Sequence, residues 1–473
     1  MAAPMALYDE RNPKDDALRI FTHQLNLCHG DEKEPLLLEN AAKNWPCRRW
    51  TLSKFASLLG DKKLKFRIGP HRNNLPPGTV LWEGSCAYEE ATLKNFEEWC
   101  QNTVASQDNP LNKFHRDHFW CYADYKYMKD LFQNQPDVYK DVPWESLGLK
   151  DLSGEQSTVW IGSIGAHTVC HQDSYGFNIV AQIQGRKKWY LFPPEQTACL
   201  YPTRIPFEES SVFSEVNITN PDLTKHPKFQ ESTPFCVVLK PGDVLYVPKH
   251  WWHFVECEET SISINCWVDL ESDHLSRVHE AVTRMLVFRL LQPDDNDVLP
   301  QWLNPTEELT SHRTNLMYLE TSLKVYQQLS QKRKYRTANC ETGKEFLIEE
   351  ERTSKTESLP SLSSSEGRAC KQASQIASAQ KRKADGSLSR ERITEQNRLE
   401  GAEEVDTEFK VTKIPCTSIN EIIETGMAMS PSAEQDNISE EPQGILDVLT
   451  QCVTDPRVVS MVTELLLEKL ENG

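Results

Sequence analysis

Two histidines and an aspartate stand at positions from which they can bind one metal ion. His171 and Asp173 lie two residues apart in the stretch Thr168–Pro194, at the front of an apolar strand pattern. Side chains two apart on a strand point to the same face, so both can reach one point in space. A histidine nitrogen and a carboxylate oxygen that converge there supply two thirds of a three-residue metal site.

The third ligand is predicted in the segment Gly242–His253. This segment, GDVLYVPKHWWH, reads as a turn, an apolar strand ended by proline, and a histidine behind two tryptophans. Two histidines and one carboxylate on one face of an octahedral metal are typical of non-haem Fe(II), which binds a cosubstrate and O₂ at its open positions. The alternative is that His171, Asp173 and His253 are ordinary polar residues at strand ends. His167 and His250 are interpreted as surface or supporting histidines.

Lys187 is the candidate contact for an anionic cosubstrate. It lies on the return strand after Gly185-Arg186, and its neighbours on the same face by alternation are Trp189 and Leu191. A lysine that points inward beside such residues is desolvated unless an anion pairs with it. The carboxylate of 2-oxoglutarate is such an anion, and Thr168 and Asn178 can supply further polar contacts.

Short strands separated by turns must position these residues. The predicted strands are Thr158–Ser163, Thr168–Asp173, Asn178–Gln184, Lys187–Phe192, Phe235–Leu239, Asp243–Val247 and Ser261–Val268. Their spacing indicates a sandwich or barrel rather than parallel βαβ units. The helices predicted from capping residues and apolar periodicity are Thr51–Gly60, Ala91–Cys100, Ser272–Leu291 and Thr314–Leu329. Residues 69–90 are predicted to form a surface loop.

Composition narrows the functional classes. The 473-residue chain has a net charge of −18, which argues against a nucleic-acid partner. Its 14 cysteines include no C-x-x-C pair, so neither a zinc module nor a secreted disulfide framework is predicted. We find no signal peptide pattern at the N-terminus and no apolar run of membrane-spanning length. We therefore expect no membrane association and a cytoplasmic location, with access to the nucleus left open.

The motifs are similar to those of the JmjC family of Fe(II)/2-oxoglutarate oxygenases, and most to its small cupin hydroxylases. The similarity is carried by T-x-x-H-x-D, A-Q-I-x-G-x-K-K-W-x-L-F-P-P, G-D-V-L-Y-V-P-x-x-W-W-H and S-I-N-C-W, and it extends from Pro35 to Leu291. It implies a mainly β fold with flanking helices, built on a double-stranded β-helix (jelly-roll) core. It also implies that His171, Asp173 and His253 are the iron ligands.

The resemblance further assigns the cosubstrate pocket. It implies that Lys187 and Thr168 contact the far carboxylate of 2-oxoglutarate and that Tyr122 adds its hydroxyl. Asn178 and Asn265 match amides near the cosubstrate. Trp160 stands where related enzymes have an aliphatic residue, so the pocket shape is expected to differ there. The segment SYGF at 174–177 departs from the pattern, so no protein substrate is carried over.

The implied reaction consumes 2-oxoglutarate and O₂, releases succinate and CO₂, and hydroxylates a C–H bond. We predict a protein side chain as the substrate, in preference to histone demethylation or RNA hydroxylation. Further stretches resemble one family member closely, and that resemblance implies a small heat shock protein as partner. The alternative is a catalytically idle interaction protein with the same fold. The apolar stripe of Ser272–Leu291 fits either a homodimer interface or a core helix.

The predicted organisation has five parts. They are a loosely ordered N-terminus at 1–30, the oxygenase domain at 31–292, a helical extension at 293–335, a disordered acidic linker at 336–440 and a short helical element at 441–473. The linker prediction rests on a composition rich in Ser, Glu, Lys and Gln with few aromatic residues. Apolar stripes across Gly444–Leu470, broken at Pro456, predict the last element.

Overall fold

The structure is a computed structural model that describes residues 34–101, 108–291, 302–341, 409–427 and 445–471. The strands are β1 (Leu36–Glu39), β2 (Lys63–Pro70), β3 (Ala87–Thr92), β4 (Phe119–Tyr127), β5 (Thr158–Gly162), β6 (His167–Asp173), β7 (Phe177–Gln184), β8 (Lys187–Phe192), β9 (Pro202–Glu208), β10 (Ser211–Ser214), β11 (Phe235–Leu239), β12 (Val244–Val247), β13 (Trp252–Cys257), β14 (Ser261–Val268) and β15 (Lys410–Lys413). The α-helices are α1 (Leu52–Leu59), α2 (Leu93–Gln101), α3 (Met128–Leu131), α4 (Asp273–Leu290), α5 (His312–Glu341), α6 (Ile419–Met427), α7 (Ile445–Thr454) and α8 (Pro456–Glu471).

Two antiparallel sheets form the core of the fold. The larger has the order β15-β1-β12-β7-β14-β5-β4-β2-β3, and the smaller has the order β11-β8-β13-β6-β10-β9. Most neighbouring strands in each sheet are distant in sequence, as in a jelly roll. The predicted fold class, mainly β with a jelly-roll core and flanking helices, is confirmed.

Strand alternation divides the larger sheet into an apolar face and a functional face. On β14, Ile262, Ile264 and Cys266 are buried in the cluster that contains the apolar residues of α1 and α2. The alternate residues Ser263 and Asn265 are also buried, but they are polar and bond to other polar side chains. The sequence pattern of β14 therefore places hydrogen-bonding groups on one face and an apolar core on the other.

An irregularity in β6 lets an odd-numbered and an even-numbered residue, which normally face opposite sides of a strand, point to the same side. His253 of β13 lies opposite His171, whereas Val255 lies opposite Thr168, so β6 holds one extra residue across this interval. A bulge of this kind reverses the alternation of side chains beyond it. Thr168 and His171, three residues apart, can therefore face the same interior.

Several strands lie outside the sequence predictions. β3 falls in the predicted loop 69–90 and in the first residues of the helix predicted at Ala91–Cys100, which in fact begins at Leu93. The side chain of Thr92 accepts a hydrogen bond from the backbone N–H of Asn95, which marks the true helix start. β13 was not predicted either, and His253 lies near its start, behind the turn after Pro248.

The predicted linker at 336–440 contains ordered structure. α5 continues to Glu341, and β15 pairs with the edge strand β1. Ile414 packs in the apolar cluster that includes Trp189, and α6 buries the isoleucines of the motif Ile419-Asn-Glu-Ile-Ile423. The prediction of disorder therefore does not hold for 409–427, because averaged composition hides a short apolar segment. The predictions for 1–30, 342–408 and 428–440 lie outside the described residues.

The chain divides into two compact units. The first contains the residues up to Pro206, those from Ser210 to Asp273, and the segment with β15 and α6. The second contains Phe207–Glu209, α4 beyond its first residue, α5, α7 and α8. Helices α7 and α8 coincide with the predicted C-terminal element, and Pro456 begins α8.

Helix α4 corresponds to the segment predicted to be either a dimer interface or a core helix. Val278 and Val282 of its apolar stripe are buried within the chain, whereas Leu275 is exposed. The homodimer stays a prediction. Among the described residues, no helix combines the length and the apolar character needed to cross a membrane.

Candidate metal centre

The two candidate histidine ligands face each other across a strand pair. His253 of β13 lies directly opposite His171 of β6, and their ring centroids are 4.1 Å apart. The ring of Trp189 lies nearly parallel to that of His253 at 5.9 Å, and Phe213 lies opposite His171 on β10. Both histidines are buried, so neighbouring aromatic rings limit their freedom to rotate.

Backbone carbonyls fix the tautomer of each histidine. The Nδ1 of His171 lies 2.9 Å from the carbonyl oxygen of Val169, and the Nδ1 of His253 lies 3.0 Å from that of Trp251. Because a carbonyl can only accept, each Nδ1 carries the proton and donates it. Each Nε2 is then left with a lone pair, which is the arrangement found in metal-ligating histidines. Burial lowers the pKa of His171 to about 4, which keeps that ring neutral at physiological pH.

Asp173 completes the group of three. Its Oδ1 lies 3.6 Å from Nε2 of His171, and its Oδ2 lies 4.0 Å from Nε2 of His253. The indole N–H of Trp267 donates to Oδ2 at 3.0 Å, which orients the carboxylate. Trp267 is 36% exposed, so this side of the carboxylate lies near solvent.

The three residues fit a divalent metal ion. One ligand atom from each lies within 4.8 Å of the others, and this is the group with metal-binding geometry found among the described residues. Two imidazole nitrogens and one carboxylate oxygen match the donor set of a non-haem Fe(II) site with open positions. The residues predicted from the sequence are thus brought together, and their role as iron ligands stays a prediction.

Lys187 is buried, and no carboxylate of the described residues pairs with it. It is 2% exposed, and its Nζ donates to the hydroxyls of Tyr122 at 3.1 Å and Ser263 at 2.8 Å. Across the described ranges, no carboxylate forms an ion pair with Nζ, and burial lowers the pKa of Lys187. Burial raises the pKa of Tyr122, and the nearby hydroxyl of Thr168 opposes this shift. This buried cation among neutral hydroxyls fits an anionic ligand such as the far carboxylate of 2-oxoglutarate.

Trp160, Asn265 and Asn178 form one chain of hydrogen bonds. The indole N–H of Trp160 donates to Oδ1 of Asn265 at 2.7 Å, and Nδ2 of Asn265 donates to Oδ1 of Asn178 at 2.8 Å. The ring of Trp160 lies 6.0 Å from Nζ of Lys187 and 6.3 Å from the ring of Trp267. The candidate cosubstrate residues therefore form one connected region that adjoins Asp173 through Trp267.

Sequence reasoning missed Ser263 and Trp267. Both lie on the functional face of β14, two residues on either side of Asn265, so alternation on this strand was the signal that could have found them. His167 and His250 are not part of the metal group. His167 packs against the rings of Trp120 and Phe254.

A second buried cation, Arg67, lies close to the ring of Tyr122. It is fully buried, and its Nε donates to Oδ2 of Asp124 at 2.6 Å. Its Nη2 lies 3.4 Å from Oε1 of Glu83. Burial opposes the charge of Arg67, but Glu83 and Asp124 outweigh it, so the pKa of Arg67 lies above its usual range.

Comparison with known proteins gives both a family and relatives. Residues 24–274 match the family described as "Cupin-like domain". The chain is 48% identical over 294 residues to HSPB1-associated protein 1 of Rattus norvegicus, a match that covers 62% of this chain and 60% of that protein. It is 46% identical over 297 residues to HSPB1-associated protein 1 of Homo sapiens, with 62% and 60% covered. The chain thus spans about 60% of the length of these curated relatives.

A more distant relative carries the name of an enzyme. Lysine-specific demethylase 8 of Danio rerio is 26% identical over 265 residues, which cover 54% of this chain and 59% of that protein. The family match covers more than half of the chain and includes His171, Asp173 and His253. The sequence motifs, the jelly-roll fold and this match show that the chain belongs to the cupin-like, JmjC-type domain family.

Proposed function

We propose that this chain is an Fe(II)- and 2-oxoglutarate-dependent dioxygenase that hydroxylates a protein side chain. The observation that carries the proposal is that three candidate metal ligands and a buried lysine occur in the same part of the fold. Two imidazoles and a carboxylate converge at His171, Asp173 and His253, and a buried lysine that pairs with no carboxylate of the described residues lies on the neighbouring strand β8.

Each residue has a defined task in this proposal. His171, Asp173 and His253 would hold Fe(II), with Trp267 orienting the carboxylate. Lys187, Tyr122 and Thr168 would bind and orient the far carboxylate of 2-oxoglutarate, and Asn178 and Asn265 would contact it nearby. When bound together, Fe(II) and 2-oxoglutarate supply the O₂-dependent oxidising chemistry of such enzymes.

The side chains proposed to surround the cosubstrate are shielded from solvent. Tyr122, Trp160 and Lys187 are all at most 9% exposed, and the aromatic rings cover the lysine. A charge–charge contact between Lys187 and a carboxylate is stronger in such a site than in water. The bulky Trp160 is expected to restrict the cosubstrate to a small 2-oxo acid.

The test is turnover by the full-length protein. Incubated with Fe(II), 2-oxoglutarate, O₂ and a peptide pool, wild type should release succinate, whereas His171→Ala and Asp173→Ala should abolish the release. Asp137→Asn is a matched control, because the Asp137 side chain is 89% exposed. Undiminished iron-dependent succinate release by both ligand variants would refute the proposed ligands.

A second candidate function is favoured by the name of the relatives. Since the matched mammalian proteins are called HSPB1-associated, we also propose that this chain binds a small heat shock protein. In that account the fold serves mainly as an interaction module, with catalysis idle. Binding of purified HSPB1 without succinate release by wild type would favour this candidate over the oxygenase. The cytoplasmic location of either activity stays a prediction.

A further inference from the structure

The turn between Asp173 and Asn178 has an unusual backbone that the proposed function does not explain. Gly176 has a φ of +57°, and an added Cβ there would lie 2.3 Å from the carbonyl oxygen of Val268. Its backbone N–H donates to Oδ2 of Asp273 at 2.9 Å. The turn that follows the candidate carboxylate ligand is therefore held by a side chain 97 residues away.

The same carboxylate oxygen holds the end of β14. The backbone N–H of Leu270 donates to Oδ2 of Asp273 at 2.6 Å. Leu270 follows Trp267 by three residues, and Trp267 donates to Asp173. Asp273 is 1% exposed, so these hydrogen bonds are shielded from competition by water.

The other oxygen of Asp273 holds the turn before His253. Nζ of Lys249 lies 2.7 Å from Oδ1, and the lysine side chain is only 13% exposed. Next to Lys249, His250 adopts a φ of +67°, and its carbonyl oxygen accepts a hydrogen bond from Nε2 of Gln172 at 2.6 Å. This turn is thus attached both to Asp273 and to the strand that carries His171.

We propose that Asp273 is a positioning residue for the metal centre. One buried carboxylate ties together the turn after Asp173, the turn before His253 and the end of the strand that bears Trp267. It thereby sets the distance between two candidate ligands that come from different parts of the chain. The inference rests on the proposed metal-binding function, and it adds a residue that touches neither metal nor cosubstrate.

The test compares Asp273→Ala, Asp273→Asn and Lys249→Met in the full-length, metal-free protein. Mn(II) affinity is measured by calorimetry, and the absorption spectrum of bound Co(II) reports the ligand geometry. Thermal unfolding without metal shows whether each variant is folded. Asp137→Asn serves as a matched control, because the Asp137 carboxylate is exposed and pairs with Lys140 on the surface.

We expect Asp273→Ala to weaken Mn(II) binding at least ~10-fold and to change the Co(II) spectrum, as for other residues that support metal ligands. Asp273→Asn should lie between Ala and wild type, because the amide oxygen still accepts both backbone N–H groups while the ion pair with Lys249 is lost. Lys249→Met should have a similar intermediate effect.

A purely structural role for Asp273 would have a different signature. It would lower the unfolding temperature but leave Mn(II) affinity and the Co(II) spectrum of the folded variants as in wild type, and this result overturns the inference. If Asp273→Ala does not fold, Asp273→Asn and Lys249→Met decide by the same two readouts. Failure of wild type itself to bind Mn(II) would refute the proposed function and this inference together.

Discussion

Arg67 and Lys187 are both buried cations near the ring of Tyr122, but they differ in the charge around them. Arg67 lies 5.6 Å and Lys187 lies 5.1 Å from the centre of that ring. Arg67 has two carboxylate neighbours, Asp124 and Glu83. The Nζ of Lys187 donates to the hydroxyls of Tyr122 and Ser263, and among the described residues no carboxylate lies within ion-pair distance of it; Asp124 acts on it only from farther away.

The difference separates a structural charge from a functional one. A buried cation with carboxylate neighbours needs no ligand, and its pKa is raised, as for Arg67. A buried cation without a close carboxylate has lost its hydration with no ion pair to replace it. Its pKa is therefore lowered, as for Lys187. An anion that binds beside Lys187 would offset this cost of burial, and for that reason Lys187 is the proposed contact for the cosubstrate carboxylate.

Removal of Arg67 should have the largest effect on stability. Arg67→Met leaves the carboxylate of Asp124 buried without its counter-charge, so we expect the free energy of unfolding to fall by about 3–5 kcal/mol. Urea unfolding of the metal-free protein measures it. The double variant Arg67→Met/Asp124→Asn should recover part of the loss, because it also removes a buried negative charge. A loss below ~1 kcal/mol in the single variant would contradict the assignment.

Acidification tests His171, a buried basic residue that, unlike Arg67 and Lys187, is neutral because burial lowers its pKa. Burial lowers its pKa from 6.5 to about 4, so between these values the unfolded chain binds more protons than the folded one. The stability contributed by His171 is therefore present above pH 6.5 and lost as the pH falls towards 4, by ~3 kcal/mol. Urea unfolding of the metal-free protein at several pH values measures it. His171→Gln should lose less stability over that range, and an equal loss in both proteins would count against a neutral His171.

Removal of Lys187 should have the smallest effect on stability. Lys187→Met removes a buried charge that lacks a carboxylate, and the relief offsets the lost hydrogen bonds to Tyr122 and Ser263. We therefore expect the free energy of unfolding to stay within ~1 kcal/mol of wild type. Urea unfolding under the conditions used for Arg67→Met gives the comparison. A loss as large as that of Arg67→Met would show that Lys187 is a structural charge.

Much of the fold follows from local patterns in the sequence. The strands predicted at Lys187–Phe192, Phe235–Leu239 and Ser261–Val268 match the structure at both ends, because turn residues bound each apolar run. The burial of Lys187 follows from its alternation with Trp189 and Leu191. These features depend on residues close together in the chain.

The features that could not be predicted depend on distant contacts. The bulge in β6 arises from pairing with β13, so strict alternation would have placed Thr168 and His171 on opposite faces. Ser263 and Trp267 gain their roles only from Lys187 and Asp173, which lie on other strands. The segment 409–427 joins the core because β1 offers it an open edge.

Metal-dependent binding of 2-oxoglutarate tests the central claim most directly. Calorimetry under anaerobic conditions would compare Mn(II)-loaded wild type, Lys187→Met and the neighbouring control Lys188→Met, whose lysine lies over the ring of Tyr190. We predict that Lys187→Met binds 2-oxoglutarate at least ~100-fold more weakly than wild type, whereas Lys188→Met binds it as wild type does. The Mn(II) affinity should be the same in all three proteins. Equal 2-oxoglutarate affinity in all three proteins would contradict the assignment of Lys187 as the cosubstrate contact.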